Sequence, residues 1–212
     1  MSDTAARERI TVYSDYVCPF CYLGRQSLER YQDERDERLA IDWRPFDLRA
    51  RKRGPDGEID HSVDDGKDEA YFAEVRENVR RLREEYGADE MLDLEETPEV
   101  DSFDAQVAAR YVQREHPDRW QAFDEAIFEA LWLEGRDIGD RDVLAALAAD
   151  AGLDGETVRV AVADESNREE LREAFAEAQA RGITGVPTFV YDGHAARGSV
   201  PPAHLQRLVE GS

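Results

Sequence analysis

Apolar residues in this chain recur with two different periods, and the change of period divides it into parts. At the N-terminal end, residues 10–14 read as a buried strand, with Ile10, Val12 and Tyr13 as strand formers. Leu23, Leu28 and Tyr31 then give a helix an apolar face that fades in the charged run 33–38. A second strand follows at 39–46, carrying Ile41, Trp43 and Phe46. A strand–helix–strand unit of this length predicts a parallel pair joined by a right-handed crossover.

Beyond a Gly-, Pro- and Asp-rich loop at residues 49–66, the spacing turns helical. Tyr71, Val75, Val79, Leu82 and Tyr86 form one apolar stripe; Phe103, Val107 and Tyr111 form another; Trp120, Phe123, Ile127 and Leu131 form a third. Val143, Leu144, Leu147 and Ala151 follow Asp140, a good N-cap, with Gly152 placed to end that helix. A short helix is expected over residues 155–163. Ser166 with Glu169 reads as a capping box for a helix that carries Leu171, Phe175 and Ala178 and stops at Gly182.

The strand signal then returns. Residues 188–192 form a strand, Asp192-Gly193 a hairpin turn and residues 195–198 a short partner, before Pro201 or Pro202 opens a last helix with Leu205, Leu208 and Val209. The expected order is β-α-β, a block of helices, then β-β-α. It divides the chain into one discontinuous α/β domain, residues 8–66 and 166–212, and an inserted helical subdomain, residues 67–165.

Composition adds a strong charge. The 212 residues include 49 Asp and Glu against 27 Lys and Arg, a formal net charge of -22. Lys52 and Lys67 are the only lysines. Such a surface repels nucleic acid and anionic lipid, so neither is expected as a partner. The acid is dispersed rather than gathered in a tail, which fits a surface that stays soluble in strong salt, as in extreme halophiles, better than one made for a basic partner. Residues 1–9 hold no apolar run of secretory type and no stretch is long enough to span a membrane, so a soluble, cytoplasmic chain is expected.

The two cysteines lie three positions apart in Cys18-Pro19-Phe20-Cys21. A bridge closing so short a loop adds little stability, so a redox or metal role is favoured over a structural one. Disulfide exchange needs one thiolate that attacks and a second thiol close enough to release the product. A helix beginning near Cys18, with Pro19 in its first turn, aims the first sulfur at unpaired N–H groups and the positive end of the helix dipole. Cys18 is therefore the expected nucleophile and Cys21, one turn in and more buried, the resolving thiol. Zinc would need further ligands, and His61, His116, His194 and His204 offer no ligand spacing.

Gly185-Val186-Pro187-Thr188 precedes the late strand. Only about 5–6% of X–Pro bonds in folded proteins are cis, so the residues alone favour trans. The pairing of a CxxC after the first strand with a late Val-Pro-Thr before a hairpin and a terminal helix nevertheless resembles the thioredoxin superfamily. More closely, Ser14-Asp15-Tyr16-Val17-Cys18-Pro19-Phe20-Cys21-Tyr22-Leu23-Gly24 and Gly182-Ile183-Thr184-Gly185-Val186-Pro187-Thr188-Phe189-Val190 resemble the DsbA-like family and its FrnE-like branch. Gly198 and Pro201-Pro202 fit the same branch, and the helical block matches the DsbA-type insertion.

That resemblance implies a thioredoxin-like α/β fold with an all-helical insertion and a thiol–disulfide oxidoreductase or isomerase activity. It implies a cis Pro187 against the CxxC, with Val186 and Pro187 beside the bound substrate. Pro19, Phe20 and Tyr22, in or beside the cysteine motif, are further expected substrate-binding residues, while for Tyr16 and Tyr22 core packing fits at least as well as lining a groove. Partners are then protein or small-molecule thiols and disulfides. No cofactor beyond a redox-active Cys18–Cys21 disulfide is expected, with a small thiol or protein reductant as co-substrate. Periplasmic members carry a His where this chain has Phe20, so the direction of electron flow stays open.

Other features have plainer readings. Arg44, Arg49, Arg51, Lys52 and Arg53 read as a solvated loop balancing nearby acid, ahead of a carboxylate-binding patch. His194 reads as a surface residue. Trp120, Phe123, Phe128 and Trp132 read as the core of the helical block. Two functional alternatives stand. One is a glutathione-dependent isomerase or transferase similar to the 2-hydroxychromene-2-carboxylate isomerase and kappa-class relatives, which commonly place Ser at position 18 and need no second thiol. The other is a non-catalytic binding or chaperone-like protein.

Overall fold

A computed structural model describes residues 8–54, 57–64 and 66–211. Residues 1–7, on which most of the N-terminal leader reading falls, and residues 55, 56 and 65 of the expected loop lie outside the described residues. In chain order the elements are β1 (Arg9–Ser14), α1 (Pro19–Asp33), β2 (Ala40–Pro45), α2 (Glu69–Tyr86), α3 (Phe103–Glu115), α4 (Pro117–Trp132), α5 (Arg141–Asp150), α6 (Gly155–Ala163), α7 (Glu165–Ala180), β3 (Thr188–Tyr191), β4 (His194–Arg197) and α8 (Pro202–Glu210).

The strands form one sheet in the order β2-β1-β3-β4. β1 pairs with β2 in parallel, from Arg9 opposite Ala40 to Ser14 opposite Pro45, with α1 as the crossover. β3 runs antiparallel to β1, with Val12 opposite Phe189, and β4 returns antiparallel to β3. Asp192 and Gly193 take φ of 45° and 78° at the hairpin tip, both positive, as a tight two-residue turn between right-twisted strands requires. This is a thioredoxin-like α/β fold with helices α2 to α7 between β2 and β3.

Two apolar clusters flank the sheet. Ile10, Leu28, Tyr31, Leu39, Phe189, Ala196 and Leu205 close the first, so that α1 and α8 cover the strands together. The second is larger and crosses the expected subdomain boundary. It takes Tyr16, Cys18, Cys21, Tyr22, Leu23 and Trp43 into one core with Phe123, Ile127, Phe128, Leu131 and Trp132 of α4 and with residues of α2, α3, α5 and α6. The helical block thus packs directly on the cysteine segment.

Three expectations are corrected. α7 begins at Glu165, one residue before the expected boundary, because Asp164 and not Ser166 caps it: the Asp164 side chain accepts the Ser166 N–H at 2.8 Å and its hydroxyl at 2.6 Å. Tyr71 leads the α2 stripe but stays 43% exposed, since the stripe meets the core only from Val75, half-buried, onward to the buried Val79, Leu82 and Tyr86. Finally, Arg53 is not solvated. Its side chain is 13% exposed and is gripped by Asp47 at 2.7 Å, by both oxygens of Asp101 at 2.8 and 2.9 Å and by the Gly57 carbonyl, while it lies over the Phe103 ring. Neighbouring acid selected Arg53 from the basic run and used it to staple the loop after β2 to the start of α3.

Candidate active site

β1 delivers the segment from Asp15 to Cys18 to the C-terminal edge of the sheet, where α1 begins. Cys18 is the N-cap, extended at φ -91° and ψ 114°, and Pro19 takes the first helical position, where its missing N–H costs nothing. The N–H groups of Cys21 and Tyr22 both close on the Cys18 carbonyl, at 3.0 and 3.3 Å. Cys21 therefore lies on the first turn above Cys18. Both cysteines are free thiols.

The Val186–Pro187 peptide is cis. It faces Cys18, whose thiol donates to the Val186 carbonyl at 3.7 Å. Cys18 was expected to be the more open of the pair, yet both residues are 3% exposed. The first sulfur meets the Val186 carbonyl, and both cysteines belong to the apolar core shared with the helical block. Burial pushes the Cys21 thiol well up, and the adjacent Cys18 adds to that, while Ser14 and the Asp15 backbone pull back.

Neighbouring groups fix the loop that carries Pro187. Thr188 donates its hydroxyl to the Gly185 carbonyl at 2.7 Å, and the Gly198 N–H donates to the Pro187 carbonyl at 2.8 Å. The segment after β4 is tied to α1 by Ser199, which donates to the Phe20 carbonyl at 2.5 Å, and by Ser27, which donates to the Val200 carbonyl at 2.6 Å. Gly24 completes the fit: a Cβ there would sit 3.0 Å from Pro187 Cγ and 3.2 Å from Phe189 Cζ. Val17, Pro19, Phe20, Gly185 and Val186 are half-buried around Cys18. Of the two readings of Tyr22, core packing is the one seen: it is 5% exposed and packs on Phe128 and Trp132 with ring centroids 6.3 and 6.5 Å away.

The helical block reaches the cysteines through the two residues that precede Val17. Asp15 is 1% exposed, and its carboxylate accepts the Ser102 hydroxyl at 2.5 Å, the Leu48 N–H at 2.8 Å and the Val17 N–H at 3.3 Å. Burial raises its pKa to about 6, against the pull of those donors. Tyr16 is fully buried and donates its hydroxyl to Asp124 at 2.8 Å; its carbonyl accepts the Trp132 indole N–H at 2.8 Å. Asp124 is also paired with Arg25 of α1. Local sequence reading places none of Ser102, Asp124 and Trp132 against the cysteine segment, since they lie 87, 108 and 116 positions from the residues they touch.

Among the described residues no group of three or more His, Cys, Asp and Glu side chains is arranged to hold a metal ion. Two cavities, one lined by His116, Arg119 and Asp154 and the other by Tyr31, Arg35 and Glu210, include neither cysteine. Among the described residues no helix is long and apolar enough to cross a membrane.

A CxxC at the head of the helix after β1, facing a cis proline ahead of β3, places the molecule among thioredoxin-fold proteins. The family model described as "DSBA-like thioredoxin domain" matches residues 9–210, and the chain belongs to that family. It is similar to the uncharacterized protein YwbO of Bacillus subtilis, 30% identical over 186 residues that cover 85% of each chain. It is also similar to a 2-hydroxychromene-2-carboxylate isomerase of Sphingobium xenophagum, 26% identical over 189 residues, 86% of this chain and 88% of that one. Among solved structures, the probable DsbA oxidoreductase SCO1869 of Streptomyces coelicolor superposes with a TM-score of 0.75 at 24% identity, covering 96% of this chain and 89% of the other.

Proposed function

We propose that this protein is a thiol–disulfide oxidoreductase that exchanges through Cys18 and Cys21. The Cys18 thiolate attacks one sulfur of a substrate disulfide; the substrate S–S bond breaks, one substrate thiolate leaves and a Cys18–substrate mixed disulfide forms. Cys21, losing its proton, then attacks Cys18. The second substrate thiolate leaves and the pair becomes a Cys18–Cys21 disulfide. A small thiol or a protein dithiol reverses these steps to restore the reduced pair, and the same path run backwards oxidises a substrate dithiol. The observation that carries this reading is the Cys18 sulfur on the Val186 carbonyl beside cis Pro187, with Cys21 one turn on. A substrate has to displace that contact, and the Val186 backbone then lies open to it.

The first prediction tests the order of attack. With a peptide disulfide as substrate, Cys21→Ala accumulates a mixed disulfide on Cys18, seen by mass spectrometry, while Cys18→Ser forms none and loses turnover. Wild-type turnover in Cys18→Ser would remove the proposal. The isomerase relative supports a second reading, a thiol-dependent isomerase that needs only position 18. Isomerisation of 2-hydroxychromene-2-carboxylate with added glutathione, surviving Cys21→Ser, would favour it.

A further inference from the structure

Resting on the exchange reading above, we propose that Asp15 is a positioning residue of the redox centre: its ionised carboxylate fastens the segment leading into Cys18 to the loop after β2 and to the foot of α3, and so sets the line of approach of the Cys18 sulfur.

Geometry carries the argument. One carboxylate receives donors from three separate places, the Val17 N–H within its own loop, the Leu48 N–H after β2 and the Ser102 hydroxyl at the N-cap of α3. Ser102 is held in turn by Gln106, which donates to its Oγ and to the Phe46 carbonyl, both at 3.1 Å. The Asp15 carbonyl accepts the Cys18 N–H at 3.2 Å, so a shift of Asp15 moves the nucleophile's own backbone. Every group touching the carboxylate is a neutral donor. A buried charge held that way is an expensive means of tying three segments together, since a neutral Asn could supply an acceptor without the desolvation cost.

The charged and titratable groups around it are few. Tyr16 adjoins it, Cys18 and Cys21 follow at the start of α1, and Asp47 faces it from the loop after β2. Arg53 holds Asp47, and Asp101, through the bidentate pair at the foot of α3. Asp47 repels the Asp15 charge and Ser102 attracts it, so the two act on its titration in opposite senses.

The test isolates geometry from thiolate supply. In a Cys21→Ala background, the rate of Cys18 attack on an aromatic disulfide is divided by the thiolate fraction, read from ultraviolet thiolate absorbance, across the acid-to-neutral range. The parent's rate per thiolate rises through a step near pH 6, where Asp15 ionises. Asp15→Asn abolishes the step and lowers the neutral plateau roughly tenfold, the scale of one lost charge-assisted hydrogen bond. Ser102→Ala, which removes the strongest donor, moves the step to higher pH and covers the case in which Asp15→Asn fails to fold. A parent profile without a step, a step surviving in Asp15→Asn, or one unmoved in Ser102→Ala overturns the proposal, as does a rate lowered by the same factor at every pH. Failure of the exchange reading itself looks different: the parent would form no mixed disulfide at any pH.

Discussion

Two buried carboxylates hold adjacent residues of the segment before Cys18, and they are satisfied in opposite ways. Asp124 of α4 has a cation, Arg25, as well as the Tyr16 hydroxyl. Asp15 has only neutral donors. Burial pushes the pKa of both upward; at Asp124 the attraction of Arg25 is the chief opposing effect, at Asp15 the Ser102 hydroxyl. The pairing with Arg25 makes Asp124 a fastening between α4 and α1. A charge held by neutral dipoles can be switched by a proton near neutral pH. One segment therefore has an ion-paired anchor at Tyr16 and an anchor of neutral donors at Asp15, the nearer of the two to the Cys18 N–H.

The largest effect is expected from removing the ion-paired anchor. Asp124→Ala leaves Arg25, 12% exposed and lying over the Phe128 ring, without its main counter-charge. Breaking a buried pair on one side costs about 3–5 kcal/mol. Glu125, 3.8 Å from Arg25 but half exposed, offsets only part of that. Denaturant unfolding should show the loss at any salt concentration, because the pair is shielded from the ions that screen surface charges. A loss under about 1 kcal/mol would mean that Asp124 is not the anchor.

A smaller effect with a distinctive pH signature belongs to Asp15. Its folded pKa of about 6 lies above the ordinary carboxylate value of 3.8, so the folded protein binds this proton more tightly than the unfolded chain does. The contribution to stability is fully present at low pH and is lost as pH rises through 6. The stability of wild type relative to Asp15→Asn should thus improve on acidification from neutral pH toward pH 4, by about 3 kcal/mol at most. The Asp124 contribution is common to both proteins and cancels from the difference. A difference that stays flat with pH, or runs the other way, would mean that Asp15 has no raised pKa.

The same contrast marks the limit of what local sequence shows. Cys18, Cys21 and the Val186-Pro187 turn stand out because their chemistry is carried by adjacent residues: a thiol pair at a helix start, a proline before a strand. The turn at Asp192-Gly193 and the cap at Asp140 stand out for the same reason. Asp15 is in the motif, but its role depends on Leu48 and Ser102, which the fold brings to it. Asp124 looks like any other acid on the outside of a helix, in a chain with 49 of them. Sequence periodicity misjudged Tyr71 for a related reason, because a helical stripe records which residues share a face and not how far along the helix its partner extends.

The finest separation of the two anchors comes from one oxygen atom. Tyr16→Phe keeps the ring that stacks on Trp43 at 5.8 Å and tilts against Phe128 at 4.7 Å. It also keeps the backbone carbonyl that accepts from Trp132. What it loses is the hydrogen bond to Asp124, and Arg25 remains to hold that carboxylate. The expected loss is at the low end for a bond to a charged acceptor, about 1.5 kcal/mol, with the exchange rate per thiolate nearly unchanged. If that rate instead falls as far as in Asp15→Asn while stability barely moves, the control of Cys18 lies with Tyr16 and α4, and the titratable anchor is a bystander.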